Sequence, residues 1–392
     1  MEASRRYDLV LFGATGFTGG LTADYLAANA PADLRWALAG RNRSKLDAVA
    51  ARLAEQAPAA PKPDLLEANA EDRLGLDEIA QATRVAITTV GPYILYGEPL
   101  VGACAAAGTD YVDLTGEPEF VDRMWLEHHA EAERTGARIV HCCGFDSIPH
   151  DLGAQFTVQQ LPEGVPLTVN GYVKTNARFS GGTYHSAING FARARQTLAT
   201  AKERRQRESW PQDREVHSAR PRVRHDDRVG GWTAPLPTID PQVVLRSAAA
   251  LDRYGPDFTY GHHLVTRRLA AIGGIAAAVG TAGLLAQMPP TRKLLLGRVS
   301  PGDGPSEAQR ERSSFKVVFV GEGGGKRVVT EVSGGDPGYT ETSKMLAESG
   351  LCLAFDELPQ RAGQVTTAVA MGDALRERLQ KAGLTFRVVE SS

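Results

Sequence analysis

The start of the chain constrains it most. In "YDLVLFGATGFTGGLTADYLA", residues 7–27, an apolar run leads straight into three glycines and then into a helical apolar pattern. That order demands a strand that turns sharply into a helix. Gly13 closes the strand, and Gly16 and Gly19 keep side chains out of the turn, so backbone N–H groups at the helix start can approach a pyrophosphate closely. The glycines are spaced G-x-x-G-x-x-G, with Thr15, Phe17 and Thr18 at the variable positions and the Thr hydroxyls available to phosphate oxygens.

The following segments extend this unit. "RWALAG", "PDLLEAN", "VAITTVG", "DYVDLTG" and "ARIVHCCG" read as five further strands, interleaved with helical patterns such as "SKLDAVAARLAEQ" and "EPLVGACAAAG". Strands alternating with helices mark βαβ units, so residues 1–150 are expected to form an α/β Rossmann domain with a doubly wound parallel sheet. At 392 residues the chain exceeds one ordinary core, and two domains are the natural division. After Pro149 the pattern changes. "PLTVNGYVKTNARF" and "SSFKVVFVGEGGGKRVVTEVSGG" alternate with period two, the second around a Gly-rich turn. A second, α+β domain with a mixed or antiparallel sheet is therefore expected over 151–355.

Two segments inside that domain stand apart. Residues 193–228 hold eleven Lys or Arg against six Asp or Glu, which reads either as a solvated helix followed by a mobile loop or as a docking surface for an acidic partner. Residues 269–288, "LAAIGGIAAAVGTAGLLAQM", carry no charge, with Arg267 and Arg268 before them and Arg292 and Lys293 after. Their length would reach across a bilayer. Their Ala and Gly content makes insertion weak, so a buried or lipid-facing helix is expected in preference to a span.

The whole-chain properties narrow the class. A formal net charge of -2 gives no global signal for nucleic acid. Cys104, Cys142, Cys143 and Cys352 show no metal-ligand spacing, so no metal site is expected and a reducing cytosol is implied. The adjacent Cys142 and Cys143 read as a redox couple or as small buried residues. Charges at Glu2, Arg5, Arg6 and Asp8 interrupt the start before a signal sequence could form.

The cofactor is read at the end of strand two. An NAD site carries an acid there for the ribose 2′-hydroxyl, whereas this sequence has "LAGRNRSKL". Arg41 can pair with a 2′-phosphate bidentately, and Asn42 and Lys45 can add donors, so NADPH is the expected cofactor. Asn69, after strand three, falls where the adenine edge would lie. "TTVGPYILYGEPL" follows strand four, where Val90, Gly91 and Pro92 form a loop at the carboxyl edge of the sheet, beside the nicotinamide. Tyr93 and Tyr96 stand on that loop as packing residues or as acids.

Together, "GATGFTG", "LAGRN", "TTVGPYILYGEPLVGACAAAGTDYVDLTGE" and "HCCGFDSIPHDLG" resemble the saccharopine dehydrogenase family, and within it most closely the bacterial trans-acting enoyl reductases of lipid and polyketide assembly. "FSGGTYHSAI", "GDPGYTETSKMLAESGLCLA" and "AMGDALRERL" extend the likeness over nearly the whole chain. It weakens near 199–237 and at "QVTTAVAMGD", where a proline of the family pattern is missing. The resemblance implies NADPH, reduction of an acyl chain on a carrier protein in trans to a polyketide synthase, and a C-terminal segment, 356–392, whose helix and strand return to the first domain.

Enoyl thioester reduction needs a hydride at Cβ, polarisation of the carbonyl and a proton at Cα. Tyr93, Asp146 and Ser147 are the expected catalytic residues, with His150, Tyr184 and His185 as further candidates. Asp146 has a competing role as a turn residue before Pro149. Two rival readings stay open: a saccharopine-type amino-acid dehydrogenase, and a lipid- or membrane-associated protein with vestigial oxidoreductase activity. The expected partners are an acyl chain on a carrier protein or other thioester, a polyketide synthase or acyl carrier, a membrane surface met through 269–288, and a second copy of the chain. The expected location is the cytoplasm, peripheral at a membrane.

Overall fold

The computed structural model describes residues 5–177, 181–298 and 304–392. Glu2, and the Phe179 and Ser180 of "FSGGTYHSAI", lie outside the described residues. The chain divides into two compact units. One comprises the chain up to Gly144 and Tyr339–Leu379; the other is mainly the chain from Phe145 to Gly338 with Gln380–Ser392.

The first unit begins with β1 (Tyr7–Phe12), α1 (Phe17–Asn29), β2 (Trp36–Gly40), α2 (Arg43–Gln56), β3 (Asp64–Glu67) and α3 (Arg73–Ala82). It continues with β4 (Thr83–Thr88), α4 (Tyr93–Tyr96), α5 (Glu98–Ala107), β5 (Asp110–Val112), α6 (Pro118–Thr135) and β6 (Arg138–Val140). Every residue of β1 and of β2 is buried, which is why both read as unbroken apolar runs. The strands pair in parallel in the order β6-β5-β4-β1-β2-β3, with Leu9 beside Val85 and Leu11 beside Ile87. Between β1 and β4 the connections reverse direction, and at such a point the carboxyl ends of the strands open onto a crevice.

The second unit opens with α7 (Ile148–Val158), β7 (Leu167–Thr175), α8 (Gly181–Ala192), α9 (Ala194–Arg207), β8 (Glu215–Ser218), β9 (Arg224–Asp226) and β10 (Gly231–Pro235). It runs on through α10 (Asp240–Ala250), β11 (Asp257–Thr266), α11 (Leu269–Ala286), α12 (Pro289–Leu296), α13 (Glu307–Glu311), β12 (Phe315–Gly323) and β13 (Lys326–Gly334). β7 lies parallel to β11 and antiparallel to β12, so the sheet is mixed. β12 and β13 form a hairpin closed by Gly324 and Gly325, both at positive φ (57° and 78°). That backbone is open to glycine and matches the strand twist, which explains the "EGGGK" turn.

One expectation for this unit needs correction. The stretch after the Arg-rich helix is not a loop throughout: β8 pairs with β11 and β9 with β10. Much of its charge is internal, since Glu208 accepts from both the buried Arg204 at 2.7 Å and Arg246 at 3.0 Å. The apolar segment is a helix, α11, and of the two alternatives, buried or outward-facing, it takes the second. Only Ala286 of it is inaccessible, because the helix packs along α8, α12 and, more narrowly, β11, and turns the rest of its circumference outward.

The C-terminal part departs from the expected boundary at 355. α14 (Thr340–Phe355) belongs to the first unit, packed on β4, β5 and β1 and buried along nearly its whole length. β14 (Gly363–Val365) then adds a seventh parallel strand beside β6, followed by α15 (Thr367–Ala370) and α16 (Gly372–Lys381). β15 (Thr385–Ser391) does not return to that sheet. It pairs antiparallel with β13 at the edge of the second sheet, where its alternating pattern finds a partner strand.

Candidate cofactor and active site

The glycine turn is shaped by contact with itself. Gly13 adopts φ 91°, a region that favours glycine, and its N–H donates to Ala39 O at 2.9 Å. A Cβ on Gly19 would lie 2.1 Å from the Gly13 carbonyl oxygen. Nothing larger than glycine fits there, so α1 starts tight against the end of β1. Gly16 is exposed and caps α1 without any side-chain hydrogen bond, which leaves the helix start open to an anion. Around the turn, Thr15 is half-buried, Phe17 meets Tyr339 edge-on at 4.8 Å, and Thr18 O accepts from Ser343 Oγ at 3.3 Å. The cradle fits a dinucleotide pyrophosphate.

At the end of β2 the side chains divide their tasks. Arg41 is exposed and forms no ion pair among the described residues, while Arg43 is engaged with Asp47 at 3.2 Å. Asn42 serves first as the cap of α2: its Oδ1 accepts from Lys45 N at 3.0 Å and from Ser44 Oγ at 2.8 Å. Arg41 and the exposed Lys45 side chain therefore supply the outward cations, which fits a 2′-phosphate and would not suit an unphosphorylated ribose. Asn69 is exposed after β3, where Ala68 N donates to Gly40 O at 3.0 Å and joins the two loops.

At the carboxyl edge beyond β4, Thr89 N donates to Phe12 O at 3.0 Å and Val90 N to Thr88 Oγ1 at 3.2 Å, with a cis Gly91–Pro92 peptide following. The start of α4 is held by a residue the sequence did not single out. Glu117, buried, accepts from Tyr93 N at 3.1 Å and Ile94 N at 2.8 Å. Asp113, at the end of β5, is a second such anchor. Its carboxylate takes the Tyr111 hydroxyl (3.0 Å), the N–H groups of Thr115 and Cys142, and His141 Nδ1 at 2.7 Å. The signal was visible as Asp113 and Glu117 following the strand end in "DYVDLTGE", but nothing local distinguishes an inward from an outward carboxylate.

Tyr93 is corrected here. Its hydroxyl donates to Thr88 O and accepts from Leu114 N, both at 3.2 Å, and burial followed by the Asp113 charge raises its pKa well above the ordinary value. The proton is spent inside the protein, so Tyr93 positions the loop and is not an acid facing a ligand. Tyr184 is likewise committed, donating to Leu295 O at 3.2 Å.

Asp146 and Ser147 sit at the entrance to α7 in the second unit. Ser147 O accepts from His150 N and Asp151 N, both at 2.9 Å, so its backbone caps the helix. Its hydroxyl is buried without a hydrogen-bond partner among the described residues. Burial, reinforced by Asp240, pushes the Asp146 carboxyl up to about 7, and burial pushes His150 down to about 4.

Comparison with known proteins bears directly on this geometry. A family profile, the saccharopine dehydrogenase NADP binding domain, matches residues 9–140, which contain the glycine turn, Arg41 and the β4 loop. A Mycobacterium tuberculosis protein named provisionally as a trans-acting enoyl reductase is 39% identical over 98% of this chain and 97% of its own. The trans-acting enoyl reductase of Mycobacterium ulcerans is 34% identical over 98% of each chain. Among solved structures, the saccharopine dehydrogenase (L-Glu forming) of Saccharomyces cerevisiae superposes with a TM-score of 0.55 at 12% identity, covering 98% of this chain and 100% of its own, and so shares the fold.

Two expectations follow. Arg41→Ala should weaken NADPH binding by about ten-fold or more, the value of a charge-assisted contact, while leaving NADH nearly unchanged; equal losses for the two cofactors in a binding titration would refute the assignment. Tyr93→Phe should lower stability by about 1–2 kcal/mol through the stranded Leu114 N–H and Thr88 carbonyl, with kcat within a few-fold of the parent. A hundred-fold fall in kcat with stability intact would restore it as an acid.

Proposed function

This chain belongs to the family of the trans-acting enoyl reductases, NADP-dependent oxidoreductases of the saccharopine dehydrogenase type, and on that premise we propose that it reduces the C=C bond of an α,β-unsaturated acyl thioester. The acyl chain is carried by a partner protein of a lipid- or polyketide-building system that lacks its own reduction step. The observation that carries this reading is identity to enoyl reductases over 98% of the chain, both units included, instead of over the cofactor domain alone. The unpaired Arg41 beside the glycine turn supports NADPH over NADH.

In this mechanism the Gly13–Gly19 turn holds the pyrophosphate, with Thr15, Phe17 and Thr18 around it. Arg41 and Lys45 hold the 2′-phosphate, and Asn69 borders the adenine. Val90, Gly91 and Pro92, which lead into the start of α4 that Glu117 holds, would border the reactive ring. NADPH, when bound, supplies the hydride that reaches Cβ. Within the second unit, the Ser147 hydroxyl, buried with no partner among the described residues, is the group suited to donate to a thioester oxygen as negative charge builds on it. Asp146, its neighbour in the same unit, is the group suited to supply the Cα proton. Exposed Lys202 and Arg205 on α9, which carry no ion pair among the described residues, provide a surface for an acidic carrier protein.

We also propose a cytoplasmic location, peripheral at a membrane. α11 has a mean hydropathy of 1.9 and is almost entirely exposed. Leu284 on it and Leu294 on α12 are 74% and 61% exposed, and Arg267, Arg268, Arg292 and Lys293 bracket the apolar stretch. Apolar surface framed by cations suits an anionic lipid interface.

NADPH oxidation followed with a panel of enoyl thioesters and with saccharopine-type amino acids tests the first proposal. Turnover of enoyl thioesters is expected, falling about 10²-fold in Ser147→Ala as for a lost oxyanion donor; turnover with the amino-acid set alone would overturn it. Flotation with vesicles tests the second: binding to anionic but not neutral vesicles is expected, reduced in Leu284→Ser. No binding to anionic vesicles would reject it.

A further inference from the structure

His150 lies in the first turn of α7, Asp240 opens α10, and His262 sits within β11. They are far apart in the sequence, and the packing of α10 against both α7 and β11 brings them together. All three are buried. His262 Nε2 stands 3.4 Å from Asp240 Oδ2, and His150 Nε2 stands 3.7 Å from Asp240 Oδ1. One donor atom from each residue falls within 4.8 Å of the other two.

Hydrogen bonding does not account for the cluster. A charge-assisted N–H···O contact closes to about 2.7–2.9 Å, and neither of these does. Asp240 Oδ1, His262 Nε2 and His150 Nδ1 are instead buried with no hydrogen-bond partner among the described residues. Tetrahedral zinc, with bonds of about 2.0–2.2 Å, separates neighbouring donors by roughly 3.3–3.5 Å. The His262–Asp240 separation of 3.4 Å matches that edge, and the His150 separation of 3.7 Å, to the other carboxylate oxygen, lies just beyond it.

The surroundings also resemble those of a metal ligand set. The Tyr260 hydroxyl lies 3.2 Å from His262 Nδ1, and Thr238 Oγ1 donates to Asp240 Oδ2. In the tautomer whose Nδ1–H donates to Tyr260, the lone pair of His262 Nε2 faces a carboxylate, and a cation between them would relieve the repulsion. Two imidazoles and a carboxylate suit zinc, whereas magnesium and calcium seek oxygen alone.

We propose that His150, Asp240 and His262 bind a zinc ion that ties α7, α10 and β11 together. Three protein donors leave the fourth position of the tetrahedron to water. The site adjoins Asp146, whose carboxyl feels the Asp240 charge, but its test needs no turnover and so does not rest on the reductase reading.

The experiment uses the full chain freed of any purification tag. Elemental analysis after dialysis should find about one zinc per chain. Cobalt substitution of the stripped protein should give the intense visible absorption of a tetrahedral site. Competition with a chromophoric chelator should show binding at least ten-fold weaker in Asp240→Asn and in His262→Gln. The stripped parent should also melt at a lower temperature than the zinc form. Parent protein that neither retains zinc nor gives the cobalt spectrum at stoichiometric metal would overturn the proposal and leave a buried His–Asp pair sharing a proton. Should the variants fold poorly, the spectrum and the chelator titration of the parent still decide.

Discussion

The first unit depends on the contact between Gly19 and the Gly13 carbonyl. With no Cβ in the way, α1 begins directly over the end of β1, an inner strand of the parallel sheet. That single close approach does three things at once. It exposes the helix start to an anion, it lets Thr89 Oγ1 reach the Gly13 carbonyl at 3.2 Å, and it sets α1 where Tyr25 can donate to Glu348 of α14 at 2.6 Å. The phosphate cradle and the packing of the C-terminal helix thus share one origin.

Rigidity at the ligand edge comes from buried carboxylates that collect backbone N–H groups. Glu117 takes two from the start of α4, and Asp113 takes two more along with a tyrosine hydroxyl and a histidine nitrogen. An isolated buried carboxylate would be costly, but one fully surrounded by donors is stabilised and fixes its donors in return. This explains why a chemically inert Tyr93 sits at the most suggestive position of the loop. Its work is to seal the space between Thr88 and Leu114, so that the loop edge is already shaped before a ligand arrives.

The parts legible in the sequence are those governed by short-range pattern. The six alternating strands, the glycine turn and the "EGGGK" hairpin each depend on residues within a few positions of one another. The parts that escaped depend on distant partners. "TETSKMLAESGLCLAF" reads as a helix, but its assignment to the first unit needs β1, β4 and β5, which lie more than two hundred residues earlier. β15 reads as a strand whose partner, β13, the alternation does not name. The Arg-rich stretch conceals β8 and β9 because their exposed faces are polar and their pairing is with β11 and β10. His150, Asp240 and His262 have no shared spacing at all.

α11 marks the limit of hydropathy as a guide. Composition sums the apolar content of a segment, but whether that content is buried depends on how many neighbours surround it. α14 has polar residues along its length, among them Glu341, Ser343, Glu348 and Ser349, yet it is buried, because the sheet covers it and hydrogen bonds such as Tyr25 to Glu348 satisfy its polar atoms. α11 carries no charge, yet it is exposed, because little beyond α8, α12 and part of β11 lies against it among the described residues. Burial follows the supply of partner surface, and an apolar helix without that supply is surface left for a partner outside the chain.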